Sequence, residues 1–138
     1  GWYVRLITGM TPDEILPGSM ELLKVLRSEG ILTAIGSASK NAVTILEGIG
    51  LRSMFDVIID GNKITRAKPD PEVFLKGAEE MKLHPSSCVV FEDAQAGIEA
   101  AIAGGMKCVG VGNPDLLGRA DMVVPDLSFI TVKQLRNL

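Results

Sequence analysis

The sequence predicts an α/β fold of three layers, a parallel sheet with helices on both faces. Two observations carry this. Short apolar runs alternate with longer segments of helical period, and the short runs are apolar throughout instead of every second residue. Strands of that kind are buried on both sides, as in a parallel sheet packed between helices.

The elements follow in order. Met20, Leu23 and Leu26 recur at helical spacing until Gly30 stops the helix, and Ile31 to Ile35 is the strand after it. A helix from about Lys40 to Glu47 turns Val43 and Leu46 inward and ends at Gly48 and Gly50. Asp56 to Asp60 is a strand closed by the turn Asp60-Gly61-Asn62. Asp70 caps a helix that starts at Pro71, where a missing N–H costs nothing, and its core face is Phe74, Ala78 and Met81. Cys88 to Phe91 is a strand, Gln95 to Ala103 a helix ended by Gly104-Gly105, and Lys107 to Val111 a strand. A short strand at Met122 to Val124 and a helix opened by Thr131 complete the pattern. Residues 1–18, rich in Gly, Thr and Pro, read as a lead-in, and residues 19–138 as one domain.

Composition narrows the function classes. A length of 138 residues suits one domain, and 46% hydrophobic with 22% charged residues excludes a disordered chain. A net charge of −3 argues against a nucleic-acid surface and against a polybasic membrane patch, and no apolar run is long enough to span a bilayer. Aromatics at 4% give little for base stacking. Cys88 and Cys108 lie inside apolar runs and read as buried thiols of a reducing compartment, the cytoplasm. The single histidine, His84, sits in a loop, which with two distant cysteines argues against zinc.

Parallel α/β sheets bind ligands at the carboxyl ends of their strands, and three polar clusters follow predicted strands there. Gly36-Ser37-Ala38-Ser39-Lys40-Asn41 opens a helix, where small residues and free N–H groups suit a phosphate, although Ser-x-Ser alone is more often an ordinary cap. Arg66-Ala67-Lys68-Pro69-Asp70-Pro71 holds one lysine between two prolines; such a lysine suits phosphate as a point charge, or is merely solvated. Glu92-Asp93 after Phe91 offers paired carboxylates to Mg²⁺, or one acid caps the next helix. Each is weak by itself. Hydroxyl, lysine and acid pair, each about one βα unit from the next, together point to a phosphoryl-transfer site.

The ordered set Ser37, Lys68-Pro69 and Glu92-Asp93 resembles motifs of the haloacid dehalogenase superfamily. Ser37-Ala-Ser-Lys-Asn41, Lys68-Pro-Asp-Pro71, Phe91-Glu-Asp-Ala-Gln-Ala-Gly97, Pro17-Gly18 and Gly110-Val-Gly112 narrow this to its β-phosphoglucomutase-like members. The resemblance implies that Ser37, the Ala38 N–H and Lys68 hold the transferring phosphate. It further implies that Ser39, Lys40 and Asn41 seat a non-reacting phosphate, and that Glu92 and Asp93 hold Mg²⁺. The implied substrate is a phosphorylated sugar: β-D-glucose 1-phosphate and glucose 6-phosphate interconvert through a sugar bisphosphate and an aspartyl-phosphate. A sugar-phosphate phosphatase of the same superfamily is the alternative. A receiver-like module that binds phosphate and Mg²⁺ without turnover is a third reading; in receivers the acid pair comes first and the lysine last, the reverse of this order.

One family feature is missing. No Asp-x-Asp occurs in the sequence, and Asp13-Glu14 does not replace it, having no apolar strand before it. The resemblance therefore implies a C-terminal portion of a longer, monomeric protein, with the lead-in following an absent cap. The sheet is then expected to be incomplete at its central first strand, and this chain alone to be inactive. The gap, between the strands ending near Ile35 and Phe91, would cause poor folding, repacking within the chain, or association with another polypeptide through unpaired edges.

Overall fold

A computed structural model describes residues 5–8, 19–37, 40–48, 50 and 52–138. Its strands bury alternate residues on opposite sides. In β4 (Cys88–Glu92) all five residues are buried, with Val89 and Phe91 in one apolar cluster and Cys88 and Val90 in another. β2 (Thr33–Gly36) divides Ile35 from Ala34 in the same way, and β5 (Lys107–Val111) divides Val109 from Cys108. The first cluster takes Leu22 and Leu26 from α1 (Ser19–Ser28), Leu46 from α2 (Ala42–Gly48) and Leu135 from α6 (Val132–Arg136). The second takes Phe74 and Ala78 from α3 (Glu72–Glu80), Ile98 from α4 (Gln95–Ala103) and Leu117 from α5 (Pro114–Leu117). Two cores on one sheet make the three layers expected.

Most element boundaries agree with the sequence reading to within two residues. Gly30 and Gly105 turn the chain out of α1 and α4 at φ +75°, where a side chain would be strained. Thr131 opens α6 with a full capping box, exchanging bonds with Gln134. The periodicity missed α5 and the single 3-10 turns at Arg52–Met54, Pro85–Ser87 and Leu127–Phe129, all too short to show a period. His84 is a loop residue whose Nδ1 accepts the Ser86 N–H at 3.1 Å.

The expectation of a gap is corrected. β1 (Arg5–Thr8) occupies it, and with β3 (Val57–Ile59) and β6 (Met122–Val124) gives a six-stranded parallel sheet of order β3-β2-β1-β4-β5-β6. β1 pairs Ile7 with Ala34 of β2 on one side and with Val90 of β4 on the other. The strand that fills the place comes from residues assigned to the lead-in. The cause is the pairing requirement itself: two buried strands with empty edges recruit any extended segment in reach, and Leu-Ile-Thr has strong strand propensity. The edges through which association was expected are therefore paired, and the sheet's own edges are β3 and β6.

Each edge strand is clipped inward at its amino end by an aspartate. Asp56 donates its N–H to the Thr33 carbonyl at 2.8 Å and accepts the Thr33 N–H on Oδ2 at 2.8 Å. Asp121 does the same with Cys108, at 2.9 and 2.8 Å. Cys108 is buried, and desolvation first, then the charges of Glu92 and Asp121, push its thiol up to about 12. Among the described residues no helix is long and apolar enough to cross a membrane.

The connection from β3 to α3 is held at both ends. Asp60 Oδ1 accepts the Asn62 N–H at 2.9 Å, forming the expected turn. Asp70 Oδ1 accepts the Glu72 N–H at 3.0 Å, but the N-cap is Pro71, which has no side-chain cap bond, so α3 begins at Glu72 and Asp70 braces it from one residue before the cap. The Glu72 carboxylate reaches back to accept both the N–H and, at 2.8 Å, the hydroxyl of Thr65. Those bonds, the backbone one foremost, hold its carboxyl below the ordinary 4.5.

Two outcomes are expected. Iodoacetamide at pH 9 leaves Cys108 unmodified in the folded chain and alkylates it in urea, read by peptide mass spectrometry, because the folded thiol stays protonated. Rapid modification of Cys108 under native conditions contradicts this. Glu72 has a depressed folded-state pKa, so its contribution is present above pH 4.5 and lost as pH falls through the lower folded value. Glu72→Gln thus lowers the urea midpoint at pH 7, and the difference from the parent chain closes in acid.

Candidate active site

All six strands run parallel, so the segments after them gather at one rim. Ser37 follows β2, is buried, and donates its N–H to the Ile59 carbonyl at 2.9 Å, which extends the β2–β3 pairing by one step. Glu92 and Asp93 stand at the end of β4. Ile35 and Phe91 both lie opposite Thr8, so only β1 separates the Ser37 and Glu92 positions, about 10 Å at two strand spacings.

Lys68 arrives from farther away. It belongs to the connection after β3, three places from β4 in the sheet, yet its Nζ lies 2.9 Å from Glu92 Oε2. Glu72 and Asp70 fix the chain on either side of it, and the Phe74 ring lies 5.5 Å from the Nζ. The sequence reading placed Phe74 in the core, which it is, and missed that the same ring flanks the lysine.

Glu92 is the most constrained group at the rim. Its side chain is 1% exposed and that of Lys68 is 19% exposed. Removing a carboxylate from water costs several kcal/mol, roughly offset only when its lone pairs are filled. Here they are: Oε1 accepts the N–H groups of Asp93 at 3.1 Å and Ala94 at 3.2 Å, and Oε2 accepts from Lys68. The positive start of α4 adds to this. Asp93, one residue on, is exposed, and its carboxylate makes no hydrogen bond or ion pair among the described residues.

The other expected residues are less defined. Ala38 and Ser39 lie outside the described residues. Lys40 and Asn41 are exposed before α2, and Asn62 donates its side-chain N–H to the Lys40 carbonyl at 3.2 Å. That bond ties the segment after β2 to the one after β3, so Asn62 joins two of the three clusters. Its signal was present in the Asp60-Gly61-Asn62 turn, but nothing local tells where an asparagine side chain will land. A cleft of about 270 Å³ between α4 and α5 is lined by Gln95, Glu99, Asp115 and Arg119. It offers more acid than base, and Arg119 already pairs with Glu99 at 3.4 Å, so it does not suit a phosphate.

No group of three or more His, Cys, Asp or Glu side chains is gathered among the described residues. The donors at the rim are hard carboxylate oxygens, with Asp93 exposed and Glu92 buried beside it. Such a set fits Mg²⁺, which keeps several waters and needs only one or two carboxylates beside substrate phosphate.

Comparison with known proteins gives the family. The chain is 38% identical over 135 residues to beta-phosphoglucomutase of Bacillus subtilis, covering 98% of this chain and 60% of that protein. It is 42% identical over 80 residues to a fructose-1-phosphate phosphatase of Escherichia coli, covering 56% of this chain and 43% of that one. The crystal structure of beta-phosphoglucomutase from Clostridium difficile superposes with a TM-score of 0.85 at 37% identity, covering 93% of this chain and 59% of the other. The chain thus spans about 60% of the length of these two mutases. Residues 3–105 match the profile of haloacid dehalogenase-like hydrolases, and the chain belongs to that family.

Proposed function

We propose that this chain supplies the phosphate-holding and metal-holding part of a phosphoryl-transfer site. The enzyme would interconvert β-D-glucose 1-phosphate and glucose 6-phosphate through a sugar bisphosphate. The observation that carries this is the meeting of Lys68 with Glu92. A lysine and an acid from separate βα units converge at the rim where Ser37 also stands, which no helix cap requires. Similarity to two beta-phosphoglucomutases supports the mutase reading, and similarity to a fructose-1-phosphate phosphatase keeps a sugar-phosphate phosphatase as the second reading.

In this reading Lys68 binds a phosphoryl oxygen and neutralises its charge, while the Ser37 hydroxyl and the Ala38 N–H donate to the others. Ser39, Lys40 and Asn41 seat the non-reacting phosphate of a bisphosphate. Asp93, with Glu92, holds Mg²⁺, which when bound draws charge from the phosphoryl oxygens. Glu92 keeps Lys68 extended toward the rim before substrate arrives, so little reorganisation is needed. The 138 residues contain no Asp-x-Asp, so the carboxylate that accepts the phosphoryl group has to be brought to them, and alone they do not turn over.

In a polypeptide that carries these residues behind an Asp-x-Asp strand, turnover requires Mg²⁺. Asp93→Asn abolishes it with no change in melting temperature, since Asp93 is exposed. Lys68→Ala abolishes it too, and also costs about 3–5 kcal/mol of stability by leaving Glu92 buried and unpaired. Full activity in either variant rejects these roles. Product analysis with β-glucose 1-phosphate separates the two readings: glucose 6-phosphate marks the mutase, and free phosphate marks the phosphatase.

A further inference from the structure

We infer that Gly97 is a positioning residue for Lys68, acting through Glu92. Gly97 is the third residue of α4 and is buried, in a helix where alanine would be the better former. Its φ is not positive, so backbone conformation does not demand glycine there. What demands it is space. A methyl group at this position would overlap Glu92 at Cγ, Cδ and Oε2, the oxygen that meets Lys68. Glu92 lies across the bare backbone of the α4 first turn, and from that bed it takes the Asp93 and Ala94 N–H groups on Oε1 and Lys68 on Oε2.

The overlap involves a flexible side chain, so Glu92 could in principle swing aside. In doing so it would leave the two amides and the lysine, and it has little water to turn to at 1% exposure. Adding a side chain at 97 therefore releases Lys68 from its anchored position. The bearing on phosphate binding rests on the reading of Lys68 given above; the mechanical link from Gly97 through Glu92 to Lys68 does not.

The test uses Gly97→Ala in the unchanged chain and in a Glu92→Ala background, with two readouts. Acetic anhydride labelling at one fixed pH, resolved by residue in mass spectrometry, reports the exposure of Lys68, with Lys63, Lys76 and Lys107 as internal references. Gly97→Ala is expected to speed Lys68 labelling several-fold, to leave the references unchanged, and to lower the melting temperature. In the Glu92→Ala background the same substitution is expected to leave Lys68 labelling unchanged and to raise the melting temperature by roughly 2–5 °C, as alanine replaces glycine in a helix. If Gly97→Ala alone does not fold, the Glu92→Ala pair still decides. Destabilisation of similar size in both backgrounds, or Lys68 labelling that ignores residue 97 while Glu92 is present, overturns the inference. Because neither readout needs turnover or bound phosphate, failure of the functional proposal leaves a separate mark: absence of inorganic phosphate binding in the unchanged chain.

Discussion

A strand buried on both faces can satisfy its N–H and C=O groups only sideways, in its neighbours. Everything at the rim depends on that. β2 and β4 are such strands, and β1 between them closes both ladders. With the centre paired, the six carboxyl ends share one edge, and connections that start far apart in the sheet can meet there. Lys68 meeting Glu92 across three strand places is the measure of how well the rim gathers its residues.

The rim is built by assigning each carboxylate a separate task. Glu92 is buried and filled, so it serves as an anchor for the lysine before it can serve anything else. Asp93 is exposed and open. Two adjacent acids of the same chemistry are thus divided by direction along the strand end: one turns in under α4 and the other faces solvent. Glu72 and Asp70 do comparable work in the preceding loop, spending their oxygens on backbone N–H groups that hold Lys68 in place.

Much of this was legible in the sequence, because it is written in periodic patterns. The unbroken apolar run Cys88 to Phe91 and the Gln95 to Ala103 helix emerged within a residue of their bounds, since burial on both faces and a helical period are local signals. Ser37, Lys68 and Glu92-Asp93 could be singled out because each follows a strand. Other features have no local signature. Arg5 to Thr8 is only four residues long, and its place is decided by a vacancy between strands that lie far along the chain. The same holds for Asn62 on the Lys40 carbonyl and Glu72 on Thr65, side-chain bonds whose partners are set by tertiary approach.

The two outer strands, Val57–Ile59 and Met122–Val124, are three residues each, and an aspartate ties the start of each toward the interior. A foreign chain trying to extend the sheet laterally would find only a few outward-facing amides and carbonyls at either margin, too little for a durable seam. Resistance to fibril-like stacking is thus a property of brevity at the flanks, and it would hold even where the modest charge of −3 is screened by salt.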